Sequence, residues 1–111
     1  MRRSQLLVII LSAALSCGLA LGQGKKGSGD AAKGKEIFEQ CSVCHNADST
    51  EKKLGPGLKG LFKAEKMANG KAPTEANVQA KIDEGGGGMP AYKDMLSAEE
   101  KANLMAYLKT L

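Results

Sequence analysis

Five consecutive residues, Cys41-Ser42-Val43-Cys44-His45, constrain this chain more than any other part of it. Cysteines at i and i+3 lie on one side of a helical turn. A histidine follows at once. This C-x-x-C-H spacing (CxxCH) lets two thiols add to the two vinyl groups of one haem, with the imidazole rising beneath the iron. Other uses of the motif meet obstacles. A structural zinc site needs four ligands, usually Cys or His, and residues 23–111 hold only Cys41, Cys44 and His45. A thioredoxin-like redox pair needs a βαβ setting, yet no stretch alternates with period two, so no sheet is expected. A short disulfide between Cys41 and Cys44 stays open in an oxidising compartment.

The start of the chain reads as an export signal. Arg2 and Arg3 precede an apolar run over residues 6–21, interrupted by Ser12, Ser16 and Gly18. Ala20-Leu21-Gly22 is a small-x-small cleavage signal before Gln23. Residues 1–22 are therefore read as a secretory signal peptide. The run is short of the about 20 apolar residues a membrane span requires. Two alternatives stand beside cleavage: retention of the segment as an anchor, or lipidation of Cys17 after Ala14-Leu15-Ser16. Residues 23–29 form a flexible Gly/Lys/Ser linker by composition, either a frayed terminus or a tether. Residues 23–111 carry 14 Lys against 12 acids, a net of +2. That balance, with no recognisable module, speaks against nucleic-acid binding.

The rest of the chain reads as all-α. Asp30 caps a helix over residues 31–40, with Ile37, Phe38 and Cys41 on one face. Gly34 sits mid-helix, where it costs about 1 kcal/mol relative to Ala. A glycine there marks close approach of another backbone. Residues 46–73 read as irregular loop, with Leu58, Leu61 and Phe62 as apolar cover. Thr74 caps a second helix over residues 75–83, with Val78 and Ile82 at i and i+4; the Gly85–Gly88 run ends it. Ser97 and Glu100 form a capping-box pattern before a last helix over residues 98–110. Its expected buried stripe is Leu104, Tyr107, Leu108 and Leu111, with Met105 beside it.

Taken together, residues 30–111 resemble a class I c-type cytochrome of the short bacterial monohaem kind. Gly34 and Phe38 look like that family's glycine and aromatic pair, and Leu104 and Tyr107 like their partners on the last helix. The resemblance implies the cytochrome c fold: three main helices and loops wrapped around one covalent haem c. It implies that the Pro56 carbonyl, in Gly55-Pro56-Gly57-Leu58, accepts a hydrogen bond from His45, as metal-bound histidines generally require. Leu58 would pack on the haem face. His45 is the only histidine, and Met89, in Gly88-Met89-Pro90-Ala91-Tyr92, is similar to the family's methionine ligand. Met95 is its rival; Met67 and Met105 read as packing. The family's function follows as an expectation: an iron-based carrier of single electrons between redox partners in a respiratory or related chain, not an enzyme. Such partners include an oxidase, a reductase or a dehydrogenase. The expected location is the periplasm, with a membrane tether at the N-terminus as the alternative. Lys52, Lys53, Lys59, Lys63, Lys66 and Lys71, opposed only by Glu65, form either a docking surface or a solvated loop.

Overall fold

The structure is a computed structural model that describes residues 29–111. The expected signal peptide over 1–22, Cys17 within it, and all but the last residue of the linker over 23–29 lie outside the described residues. Three α-helices follow in order: α1 (Ala31–Phe38), α2 (Glu75–Glu84) and α3 (Ala98–Leu108). Among the described residues there is no strand; Gly86 and Met89 pair in an isolated β-bridge. No described helix is long and apolar enough to cross a membrane.

Each helix begins where a polar side chain satisfies the free N–H groups of its first turn. Asp30 accepts from Ala32 and Lys33, and Thr74 from Asn77. Ser97 and Glu100 bond reciprocally as a full capping box. The ends differ slightly from the sequence expectation. α1 stops at Phe38 rather than 40, because the chain tightens there into i→i−3 bonds, Glu39 N–H to the Glu36 carbonyl at 3.2 Å and Cys41 N–H to the Phe38 carbonyl at 2.7 Å. That tightening turns the chain into the C-x-x-C-H segment. α3 stops at Leu108 rather than 110, where the Thr110 hydroxyl and N–H both turn back to the Tyr107 carbonyl. The loop expected over 46–73 contains one 3₁₀ turn, Leu61–Lys63.

The core consists of Phe38, Val78, Ile82, Leu96, Leu104, Met105 and Leu108. Tyr107 and Leu111 of the expected stripe are half-buried, and Met105, placed beside it, lies in the core. α1 and α3 meet at Gly34. A Cβ built there would lie 1.9 Å from the Asn103 carbonyl oxygen and 2.8 Å from Tyr107 Cβ, so only glycine admits this contact. One turn along α1, the Phe38 and Tyr107 rings pack with centroids 5.3 Å apart and a 57° tilt, a geometry aromatic pairs favour. Asn103 is a polar residue buried in this seam. Its side-chain oxygen accepts from the Asp30 N–H at 2.8 Å, which locks the start of α1 to the middle of α3. α2 is tied to α3 by ion pairs at both ends, Glu75 with Lys109 and Asp83 with Lys101 at 2.8 Å.

Candidate haem site

The C-x-x-C-H segment leaves α1 as a tight turn. Cys44 and His45 N–H groups both donate to the Cys41 carbonyl, at 3.1 and 2.9 Å. This carries Cys41 and Cys44 to one side and His45 to the next position. Both cysteines are free thiols and half-buried, so the disulfide left open by the sequence is not formed. Burial pushes the Cys41 thiol above its ordinary pKa, and the neighbouring Cys44 adds to the rise.

The 53–58 loop is clamped onto this turn. Gly55 N–H donates to the Cys44 carbonyl at 2.8 Å, and Leu58 N–H to the Asn46 carbonyl at 2.8 Å. Lys53 Nζ reaches the Ser42 carbonyl at 2.9 Å. The clamp places the Pro56 carbonyl oxygen 2.8 Å from His45 Nδ1. A carbonyl only accepts, so Nδ1 is the protonated nitrogen and Nε2 keeps its lone pair. Gly55 lies flat against the ring: a Cβ there would sit 2.5 Å from His45 Cε1 and 2.8 Å from Nδ1. The imidazole is thus held by a hydrogen bond at its edge and by backbone against its face.

Met89 is carried by a different element. The carbonyls left free at the C-terminus of α2 are taken by Gly85 N–H on Lys81, Tyr92 N–H on Ile82 and Lys93 N–H on Asp83, at 2.8, 2.9 and 3.2 Å. Both ends of the 85–93 segment are therefore fixed to one helix end, and Met89 stands in the loop between them. The four glycines before it all have positive φ, from 64° at Gly85 to 105° at Gly86, a region that side-chain-bearing residues rarely enter. Met89 is half-buried and packs against the core, whereas its rival Met95 is 62% exposed.

Cys41, Cys44, His45 and Pro56 form one bonded unit, and Leu58 is pinned beside it. Met89 is placed independently, by α2. Tyr92 was not singled out by the sequence. Its phenol is raised above its ordinary pKa by burial, and then by Cys41 and Cys44, which puts it within electrostatic reach of the thiol pair. The signal that could have found it is its position three residues beyond Met89 in an otherwise aromatic-poor chain.

These residues fit a covalently attached haem. Two free thiols share one turn, and one histidine nitrogen is anchored while the other is unencumbered. Leu58, Leu61, Phe62, Met67, Met89 and Tyr92 pack against the core yet stay half-exposed, and a flat apolar group would cover such side chains.

The chain is similar to known proteins of one family. The cytochrome c family model matches residues 31–111. Cytochrome c6 of Rippkaea orientalis is 37% identical over 82 residues, spanning 73% of this chain and 70% of that protein. Cytochrome c of Chlamydomonas reinhardtii is 33% identical over 100 residues, spanning 74% of this chain and 89% of that protein. Among solved structures, cytochrome c6 of the diatom Phaeodactylum tricornutum superposes with a TM-score of 0.58 at 29% identity, covering 74% of this chain and 93% of that one. Cytochrome cH of Methylobacterium extorquens superposes with a TM-score of 0.57 at 25% identity, covering 75% and 100%. The chain belongs to the cytochrome c family, as an all-α monohaem electron carrier rather than an enzyme, with one covalent haem c for which Cys41 and Cys44 fit the attachment site.

Proposed function

We propose that residues 30–111 form an exported, periplasmic carrier that passes single electrons between redox partners in a respiratory or related chain. Cys41 and Cys44 would form the thioether links to the haem, and His45 and Met89 would hold its iron. Residues 1–22 direct export, and residues 23–29 link the leader to the carrier domain. The observation that carries this reading is the 2.8 Å contact of His45 Nδ1 with the Pro56 carbonyl. It fixes the tautomer, leaves Nε2 as the ligand atom and raises its basicity. The bound iron supplies the one-electron ferric–ferrous couple. The protein's part is to hold one geometry in both states. Gly55 and Pro56 prevent the imidazole from tilting, the closed 85–93 loop prevents Met89 from wandering, and Leu58 excludes water from the ring face.

With His45 and Met89 both holding the iron, no substrate would reach it. Partners are met at the surface. Lys52, Lys53, Lys59, Lys63, Lys66 and Lys71 are all exposed, and Val43 and Leu54, from the two clamped segments, are 69% and 77% exposed. An apolar contact amid positive charge suits a redox partner with an acidic face, and the charges act chiefly on the rate of encounter. The test of the ligand set is Met89→Ala in the ferric holoprotein. Loss of the methionine–iron charge-transfer band with a lowered potential is expected. A surviving band would reassign the ligand.

A further inference from the structure

Lys81 stands in the last turn of α2, just before the four-glycine run. Its ammonium donates to two successive backbone carbonyls, Gly85 at 3.0 Å and Gly86 at 3.2 Å. Both belong to the four-glycine run that leads to Met89. We propose that Lys81 is a positioning residue for Met89: by bridging these carbonyls it holds the methionine loop closed over the haem face. The inference rests on Met89 being the axial ligand.

Three observations carry it. First, the run is costly to order. Glycine loses more conformational freedom on folding than any other residue, and Gly85, Gly86, Gly87 and Gly88 follow one another, each at positive φ. Second, beyond Gly85, which packs against the Met89 and Pro90 backbone, the run has little to hold it: Gly86, Gly87 and Gly88 are exposed, and a Cβ placed at Gly87 or Gly88 would meet nothing within 4 Å. Its internal closure is the Gly86–Met89 bridge, with N–H to carbonyl distances of 2.9 and 3.2 Å. Third, the Lys81 charge is well sited. It lies in the last turn of α2, where cations are favoured by the helix dipole. Hydrogen bonds from a charged donor are stronger than neutral ones. The same residue's carbonyl accepts from Gly85 N–H at 2.8 Å, so Lys81 grips the first glycine from both sides. Without the ammonium, residues 85–88 would open about the fixed points at Gly85 and Tyr92, and Met89 would leave the iron more often.

The test compares ferric holoprotein variants by the rate at which external imidazole displaces the methionine, together with the intensity of the methionine–iron band. Lys81→Ala is expected to raise the displacement rate about tenfold, equivalent to about 1.4 kcal/mol, and to weaken the band. Lys81→Arg keeps a charged donor and is expected to restore most of the effect. Lys109→Ala removes a lysine from the opposite end of α2, where it pairs with Glu75 on the surface; it leaves the loop untouched and is expected to leave displacement unchanged. Equal rates in wild type and Lys81→Ala, with Met89→Ala losing the band, would overturn the positioning role alone. A Lys109→Ala rate as fast as Lys81→Ala would also overturn it, by showing that displacement does not depend on the loop contact. A band that persists in Met89→Ala would overturn the ligand assignment and this inference together.

Discussion

Replacing Gly34 with alanine opposes two effects whose sizes differ enough to decide the outcome. In an isolated helix the change stabilises by about 1 kcal/mol, because alanine is the better helix former. In this fold the new Cβ would stand 1.9 Å from the Asn103 carbonyl oxygen and 2.6 Å from its carbon. Real contacts essentially never fall under 3.0 Å, so α3 must retreat by roughly an ångström, and the obstacle is backbone rather than a movable side chain. Overpacking of a tight seam costs about 1–3 kcal/mol. The retreat also stretches the Asp30–Asn103 bond, now 2.8 Å, worth about 1 kcal/mol, and loosens the Phe38–Tyr107 contact. The net expectation is a loss of about 2 kcal/mol, which for a domain of this size lowers Tm by about 10 °C. Urea denaturation of the ferric holoprotein, followed by far-ultraviolet circular dichroism, measures it. A Gly34→Ala protein as stable as wild type, or more so, would refute the argument, because helix propensity would then have outweighed the clash.

Three other outcomes are expected. Gly55→Ala pushes a methyl group into the His45 ring, where the built Cβ lies 2.5 Å from Cε1. Weakening the ligand's support about tenfold should let a competing ligand displace His45 about ten times more readily, seen in the Soret band; unchanged displacement would count against the clamp. Asp83 is held below the usual carboxylate range, first by its hydrogen bond from Lys101 and then by one from Gln79. Its contribution is therefore complete above the unfolded-state value of about 4 and is lost as pH falls through the lower folded value. Unfolding free energies of wild type and Asp83→Asn should converge below about pH 4, and a constant gap would show that the contact does not depend on charge. Ser97→Ala removes the acceptor for Glu100 N–H, at 3.1 Å, and should cost about 1 kcal/mol in a chemical melt; no change would mean the capping box is redundant.

Much of this fold could be read from residue chemistry alone, and the exceptions share a cause. Asp30, Thr74 and Ser97 announced three helix starts, because capping depends on side chains within three residues of each other. Gly34 announced the α1–α3 contact, because a glycine in a helix interior is otherwise unfavourable. The helix ends were less legible: α1 gives way at Phe38 because Glu39 and Cys41 each bond back only three residues, to Glu36 and Phe38, and nothing in residues 39–40 signals that. Asn103 and Lys81 carry no local signal for a similar reason. Asn103 matters through Asp30, far away in sequence, and Lys81 matters through what its side chain reaches. At the site, the cysteine pair and His45 were visible as a motif. The Pro56 and Met89 readings came through family resemblance, since spacing alone leaves proline in a turn and methionine in a core.

The proposed carrier depends on a porphyrin joined to this chain at Cys41 and Cys44. Visible spectra of the purified protein in both redox states, with its intact mass under denaturing conditions, test that most directly. The prediction is one haem retained through denaturation, a reduced spectrum with sharp α and β bands, and loss of the covalent link in a Cys41→Ser, Cys44→Ser double variant. A colourless protein with the mass of the bare polypeptide and intact helices would contradict it.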